Sequence, residues 1–149
     1  MTSSMTATAI DANVAIALER GAPSEVEVVV RSLSRIASDG AIVVSGPVFA
    51  ELCAGPAGSP TMERLLTEAR ISIVCDLTLD VWRAAGLAFR TYAERRRSGG
   101  AGEPRRILAD FIIGAHACTV GTLVTNDAAF FRRAFPTLRV IDPWEEAFD

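Results

Sequence analysis

The sequence predicts an α/β fold: a central, mainly parallel sheet of about five strands with helices on both faces. Three observations carry this. Short apolar runs alternate along the whole chain with longer segments whose apolar residues recur at helical spacing. Several of those short runs end directly at an acid and lead into a helix, as strands of an open α/β sheet do. The length of 149 residues and the 50% hydrophobic content suit one domain, 1–149, with a sizeable core.

In order, Ala7 to Ile10 is a first strand, and residues 1–6 are expected to be a frayed tail, with Met5 as an alternative start. Val14 to Leu18 is helical until Gly21-Ala22-Pro23 interrupts it. Ser24 is a suitable cap for the next helix, which runs to about Ser38 and stops at Asp39-Gly40. Ala41 to Ser45 is the second strand, and the helix after it carries Glu51. Gly58-Ser59-Pro60 reads as a loop before a helix from Thr61. Ile71 to Val74 is the third strand, and Thr78 caps a long helix ending in Glu94-Arg95-Arg96-Arg97. Ser98 to Pro104 is Gly-rich and reads as the one flexible loop. The helix holding Asp110 follows, then a turn at Gly121. Leu123-Val124 is the fourth strand, Ala128 to Ala134 a short helix, and Leu138 to Ile141 the fifth strand.

Composition excludes several chemistries. All 15 basic residues are arginine, so mechanisms that need lysine, including the P-loop, Schiff bases and a receiver-type phosphotransfer site, have no candidate. One histidine, His116, and three isolated cysteines, Cys53, Cys75 and Cys118, do not make a zinc site. The cysteines read as reduced core or near-core residues. The first turn, Asp11-Ala12-Asn13, lacks the glycines of a dinucleotide-binding loop. A net charge of −3 gives no global basic footprint for nucleic acid. No apolar run reaches the ~20 residues of a membrane span, and the first residues lack the pattern of a secretory signal. The expected location is the cytoplasm.

Four acids stand out: Asp11, Glu51, Asp110 and Asp127. Each lies at a strand end or early in the following helix, where a parallel sheet brings distant segments to one edge. Taken singly, Asp11 and Asp127 are equally good helix caps, and Glu51 a surface residue. Taken together, crowded carboxylates repel and need a counter-charge. An oxygen-only donor set suits Mg²⁺ or Mn²⁺, which serve phosphodiester hydrolysis. Asn13, Thr125 and Asn126 are placed to orient ligands or water around them.

Ile10-Asp11-Ala12-Asn13, Phe49-Ala50-Glu51-Leu52, Leu108-Ala109-Asp110-Phe111 and Leu123-Val124-Thr125-Asn126-Asp127 together resemble the PIN-domain ribonucleases, most closely the VapC toxins of bacterial toxin–antitoxin pairs. The likeness covers about residues 7 to 143. It implies a PIN-like fold and Mg²⁺- or Mn²⁺-dependent cleavage of RNA. It further implies a cognate antitoxin and a homodimer, with Asp11, Glu51, Asp110 and Asp127 as the metal-binding acids and Thr125 as the accompanying hydroxyl. Ala12 departs from the pattern, where threonine or serine is common. A PIN nuclease for RNA processing without an antitoxin, and a non-catalytic PIN-like binding module, are the alternatives.

Arg95, Arg96, Arg97, Arg105 and Arg106 bracket the Gly-rich loop. They read either as solvated charges at a helix end or as a grip on RNA phosphates. Trp82, Phe89 and Tyr92 read as core or partner surface, and His116 as a structural histidine rather than a base.

Overall fold

The computed structural model describes residues 6–146. The order is β1 (Thr6–Ile10), α1 (Ala12–Arg20), α2 (Pro23–Ala37), β2 (Gly40–Ser45), α3 (Gly46–Cys53), α4 (Gly58–Glu68) and β3 (Ile71–Val74). Then come α5 (Leu79–Ser98), α6 (Leu108–Val120), β4 (Thr122–Val124), α7 (Ala128–Ala134), β5 (Arg139–Ile141) and α8 (Pro143–Glu146). The five strands form one sheet in the order β3-β2-β1-β4-β5, and every neighbouring pair is parallel.

The order fixes where a site can form. From β1 the chain winds outward through β2 to β3, then returns across β1 to β4 and winds the other way to β5. Right-handed crossovers in opposite directions put their helices on opposite faces. The direction reverses between β1 and β4, and a crevice opens there at the carboxyl ends of the strands. β1 and β4 are bonded in register, Ala9 with Leu123 and Ile10 with Val124.

The core explains the apolar periodicity. Ile10, Val44 and Leu123 from the sheet meet Val14, Val48, Leu66 and Phe111 from the helices, all buried. Gly114 shows how tightly α6 is packed: a Cβ there would lie 2.1 Å from the Phe135 ring. Gly121 has φ +114°, a conformation that admits glycine and lets α6 turn straight into β4.

The structure corrects several boundaries. Thr6, placed in the tail by sequence, begins β1 and pairs with Gly40 of β2, and residues 1–5 lie outside the described ones. Ser24 does not cap α2; the helix starts one residue earlier at Pro23, whose fixed φ suits the first helical position and whose missing N–H costs nothing there. Gly58-Ser59-Pro60 is the first turn of α4 rather than a loop, because proline is tolerated in that turn. Leu138 precedes β5 and packs into the core. Cys75 and Cys118 are exposed and Cys53 is half-buried, so the cysteines are not core residues as a group. The Gly-rich loop is tied back to α5: Arg96 donates to the carbonyls of Ala101 and Glu103 at 2.7 and 2.9 Å, and the Arg105 N–H donates to the Tyr92 hydroxyl at 3.1 Å. Among the described residues no helix is long and apolar enough to cross a membrane.

Candidate active site

Asp11 follows β1 directly and sits at the β1/β4 crevice. Its N–H donates to the Val124 carbonyl at 2.9 Å, so the sheet pairing itself sets its position. The carboxylate is buried and accepts three bonds: from the Ala12 N–H at 2.8 Å, the Thr125 hydroxyl at 2.8 Å and the Asn13 amide at 3.4 Å. Asp11 therefore does cap α1, as one of its readings had it. Burial still raises its proton affinity most; the Thr125 and Ala12 bonds oppose this, and Asp110 and Asp127 add to it.

Thr125 is the hub of the crevice. It is completely buried and its N–H donates to Ile141 across to β5 at 3.0 Å. A hydroxyl has one proton to give, and Thr125 gives it to Asp11. Its oxygen then accepts the Asp127 N–H at 2.9 Å and the Asn13 amide at 3.5 Å. Asn13 closes the network by accepting the Asn126 N–H at 3.1 Å. Asn13, Thr125 and Asn126 thus lock the end of β4 to the start of α1.

Asp110 enters from the first turn of α6. Its carboxylate accepts the Ile107 N–H at 3.3 Å, an exposed donor that the helix start would otherwise leave to water. Its proton affinity is raised by burial first; the Ile107 bond and Arg106 oppose this, and Asp127 adds to it. Glu51 lies on the exposed rim, on α3, which packs against α1 and α6. Its carboxyl is also raised, by partial desolvation and then by Asp11 and Asp110. Asp127 stands at the start of α7 but makes no capping bond. Its carboxylate instead accepts from the Arg106 guanidinium.

The four acids therefore come from four separate segments and act on one another electrostatically. Among the described residues, no three acid, histidine or cysteine side chains are gathered tightly enough to hold one ion as they stand. The donor chemistry nonetheless fits a hard cation: every donor is oxygen, and three of the carboxyls carry a penalty that a positive charge relieves. His116 is buried on α6, where desolvation lowers its proton affinity, and it is not part of the cluster.

Of the five arginines singled out in the sequence, Arg106 turns to the acids. Arg96 serves its own loop, and Arg97 leans on the Ala93 carbonyl at 3.4 Å. Arg95 and Arg105 are exposed. Two features escaped sequence reasoning. One is the bond of Arg106 to Asp127, for which the only hint is that a crowded set of acids needs a cation. The other is Ser45, at the carboxyl end of β2 beside β1. Its hydroxyl is buried without a partner among the described residues, and no sequence signal separates it from an ordinary strand serine.

Solved structures with the same fold include VapBC2, VapBC-1 and FitAB. VapBC2 from Rickettsia felis, bound to a DNA fragment from their promoter, is 23% identical, covering 91% of this chain and 97% of that one, with a TM-score of 0.68. VapBC-1 from nontypeable Haemophilus influenzae is 21% identical, covering 93% and 98%, with a TM-score of 0.67. FitAB bound to an IR36 DNA fragment is 25% identical, covering 92% and 95%, with a TM-score of 0.62. A search of curated proteins finds no sequence match. The family model for the PIN domain matches residues 8–136. That match runs from β1 through α7, across every segment that carries one of the four acids, and the chain belongs to the PIN domain family.

Proposed function

We propose that this chain is a Mg²⁺- or Mn²⁺-dependent endoribonuclease and the toxin of a toxin–antitoxin pair. The observation that carries the reading is the convergence of Asp11, Glu51, Asp110 and Asp127 on the β1/β4 crevice, where their charges act on one another. Membership of the PIN family, whose members are nucleases, and similarity to the VapBC and FitAB structures support it.

In this reading the four acids hold the metal. The ion, when bound, supplies a water activated for attack and positive charge for the phosphodiester transition state. Thr125 and the Ala12 N–H hold the Asp11 carboxylate in one orientation, so that little ordering is left for the moment of binding. The Ile107 N–H does the same for Asp110. Of the five arginines around the loop (Arg95, Arg96, Arg97, Arg105 and Arg106), the exposed Arg95 and Arg105 are the ones free to meet RNA phosphates, while Arg96 is engaged with its own loop and Arg106 with Asp127. An antitoxin and a second copy of the chain are the protein partners. Leu79, Trp82 and Leu87, exposed along α5, offer apolar surface for such contacts.

The test is RNA cleavage by the purified chain in Mg²⁺ or Mn²⁺ against a chelator, with Asp110→Asn alongside. Loss of even a supporting residue at a metal site costs about 10–100-fold, so loss of a ligand is expected to cost at least about 100-fold. Stability without metal should be unchanged or higher, because one repelling charge is gone. Wild-type cleavage rates in Asp110→Asn would remove the assignment.

A further inference from the structure

Arg106 sits on the acidic edge without being an acid or a cap, and its surroundings fix it from three sides. Its guanidinium donates to Asp127. The Phe130 ring lies beneath it, 4.1 Å from guanidinium carbon to ring centroid. Asp110, in the first turn of α6 just after Arg106, feels its charge. Asp127 has no other described side-chain partner, and it forgoes capping its own helix.

We propose that Arg106 is an internal counter-ion of the acidic cluster, which holds Asp127 until a divalent ion is bound and must release it for the ion to be held. This rests on the metal-dependent reading above. A carboxylate oxygen engaged with a guanidinium is not offered to a metal, and a guanidinium beside a dication is repelled. Exchange of one cation for the other follows, and Arg106 is a positioning residue that sets metal affinity. The exchange has room: the Arg106 side chain is 33% exposed and the Asp127 side chain 36%, so the guanidinium can swing into water when displaced.

The experiment is calorimetric titration of the whole chain with Mn²⁺ alone, for the wild type, Arg106→Gln, Arg106→Lys, Asp127→Asn and the double variant Arg106→Gln/Asp127→Asn. Arg106→Gln is expected to tighten Mn²⁺ binding roughly five- to tenfold, because the metal-free state loses its counter-charge. Arg106→Lys keeps the charge but loses the planar fork that lies on Phe130, so its affinity should fall between those of the wild type and Arg106→Gln. In the Asp127→Asn background the Arg106→Gln gain should shrink to within about twofold, since there is no carboxylate left to release. Unchanged or weaker binding in Arg106→Gln overturns the proposal. So does a full gain in the Asp127→Asn background, which would mean that Arg106 acts only through its general field. If neither wild type nor Arg106→Gln binds Mn²⁺, the metal-dependent reading itself falls. A measurement on the unaltered chain guards against a variant that does not fold. Arginine side-chain resonances followed through a Mg²⁺ titration should show the Arg106 N–H signals moving toward solvent-exposed values, and signals that stay fixed while the ion binds overturn the proposal.

Discussion

The two sides of α6 and α7 differ sharply in what they do with buried surface. On one side Phe111 is wholly buried, with Phe89, Tyr92 and Phe130 within 5.2 to 5.4 Å of its ring centre in edge-on or tilted contacts. Phe130 packs edge-on against Phe131 at 4.9 Å. On the other side, Asp110 is the immediate neighbour of Phe111 in sequence, and Asp127 begins the helix of Phe130. There the same helices hold carboxylates that repel one another. One face gains from burial and the other loses by it. The difference shows how a polar edge can carry an electrostatic penalty: the aromatic cluster anchors α6 and α7, and with them the segments that carry Asp110 and Asp127.

The largest expected effect is on the stable side. Phe111→Ala should cost about 3–5 kcal/mol, a large share of the roughly 5–15 kcal/mol that holds a domain together. Urea denaturation reads it directly. A cost below ~1 kcal/mol would mean that the cluster relaxes around the cavity and does not anchor α6.

The next effect is on the strained side. The carboxyls of Asp11, Glu51 and Asp110 all bind protons more readily in the folded chain than when unfolded. Their contribution to stability is therefore present at low pH. It is lost as pH rises from the ordinary carboxylate range through the raised folded values, because the native state holds more protons there. Without metal, Asp110→Asn should gain stability relative to the wild type as pH rises through that window, and added Mg²⁺ should reduce the wild type's deficit. A difference between the two chains that is flat with pH would show that Asp110 is not under strain.

Much of this was legible in the sequence, for identifiable reasons. The strands and long helices follow from hydrophobic period, which local composition carries. Asp11 and Asp127 could be found because parallel strands point their carboxyl ends one way, and Glu51 because its helix follows a strand. Asp110 lies in the first turn of α6, which follows α5 rather than a strand, and its signal was a carboxylate set among apolar neighbours. Boundaries were less legible where proline changes meaning with position, as at Pro23 and Pro60. The apolar flanks of Cys75 and Cys118 did not reveal their exposure, since a neighbour's burial does not fix which way the next side chain faces. Asp127 was ambiguous between cap and site because the choice depends on Arg106, which is distant in sequence and is brought in by the fold.

The smallest expected effect lies where the two sides meet. Phe130 belongs to the aromatic cluster and also lies under Arg106. Phe130→Leu keeps an apolar side chain but removes the ring face, so it loses its three edge-on contacts, with Tyr92, Phe111 and Phe131, and the cation–π contact, the latter worth about 0.5–1 kcal/mol at a partly exposed site. The single variant mixes these terms. A double-mutant cycle with Arg106→Gln separates them: the coupling free energy between positions 106 and 130 should be about 0.5 kcal/mol or more by denaturation. Phe131 supplies the control, since it is as aromatic and more deeply buried but has no contact of this kind with Arg106 among the described residues. Phe131→Leu should therefore show no coupling to Arg106→Gln. Equal coupling at both positions would mean that Arg106 senses the cluster only through general packing. No coupling at either would leave Asp127 as the sole anchor of the guanidinium, and the stable and strained sides would then be independent.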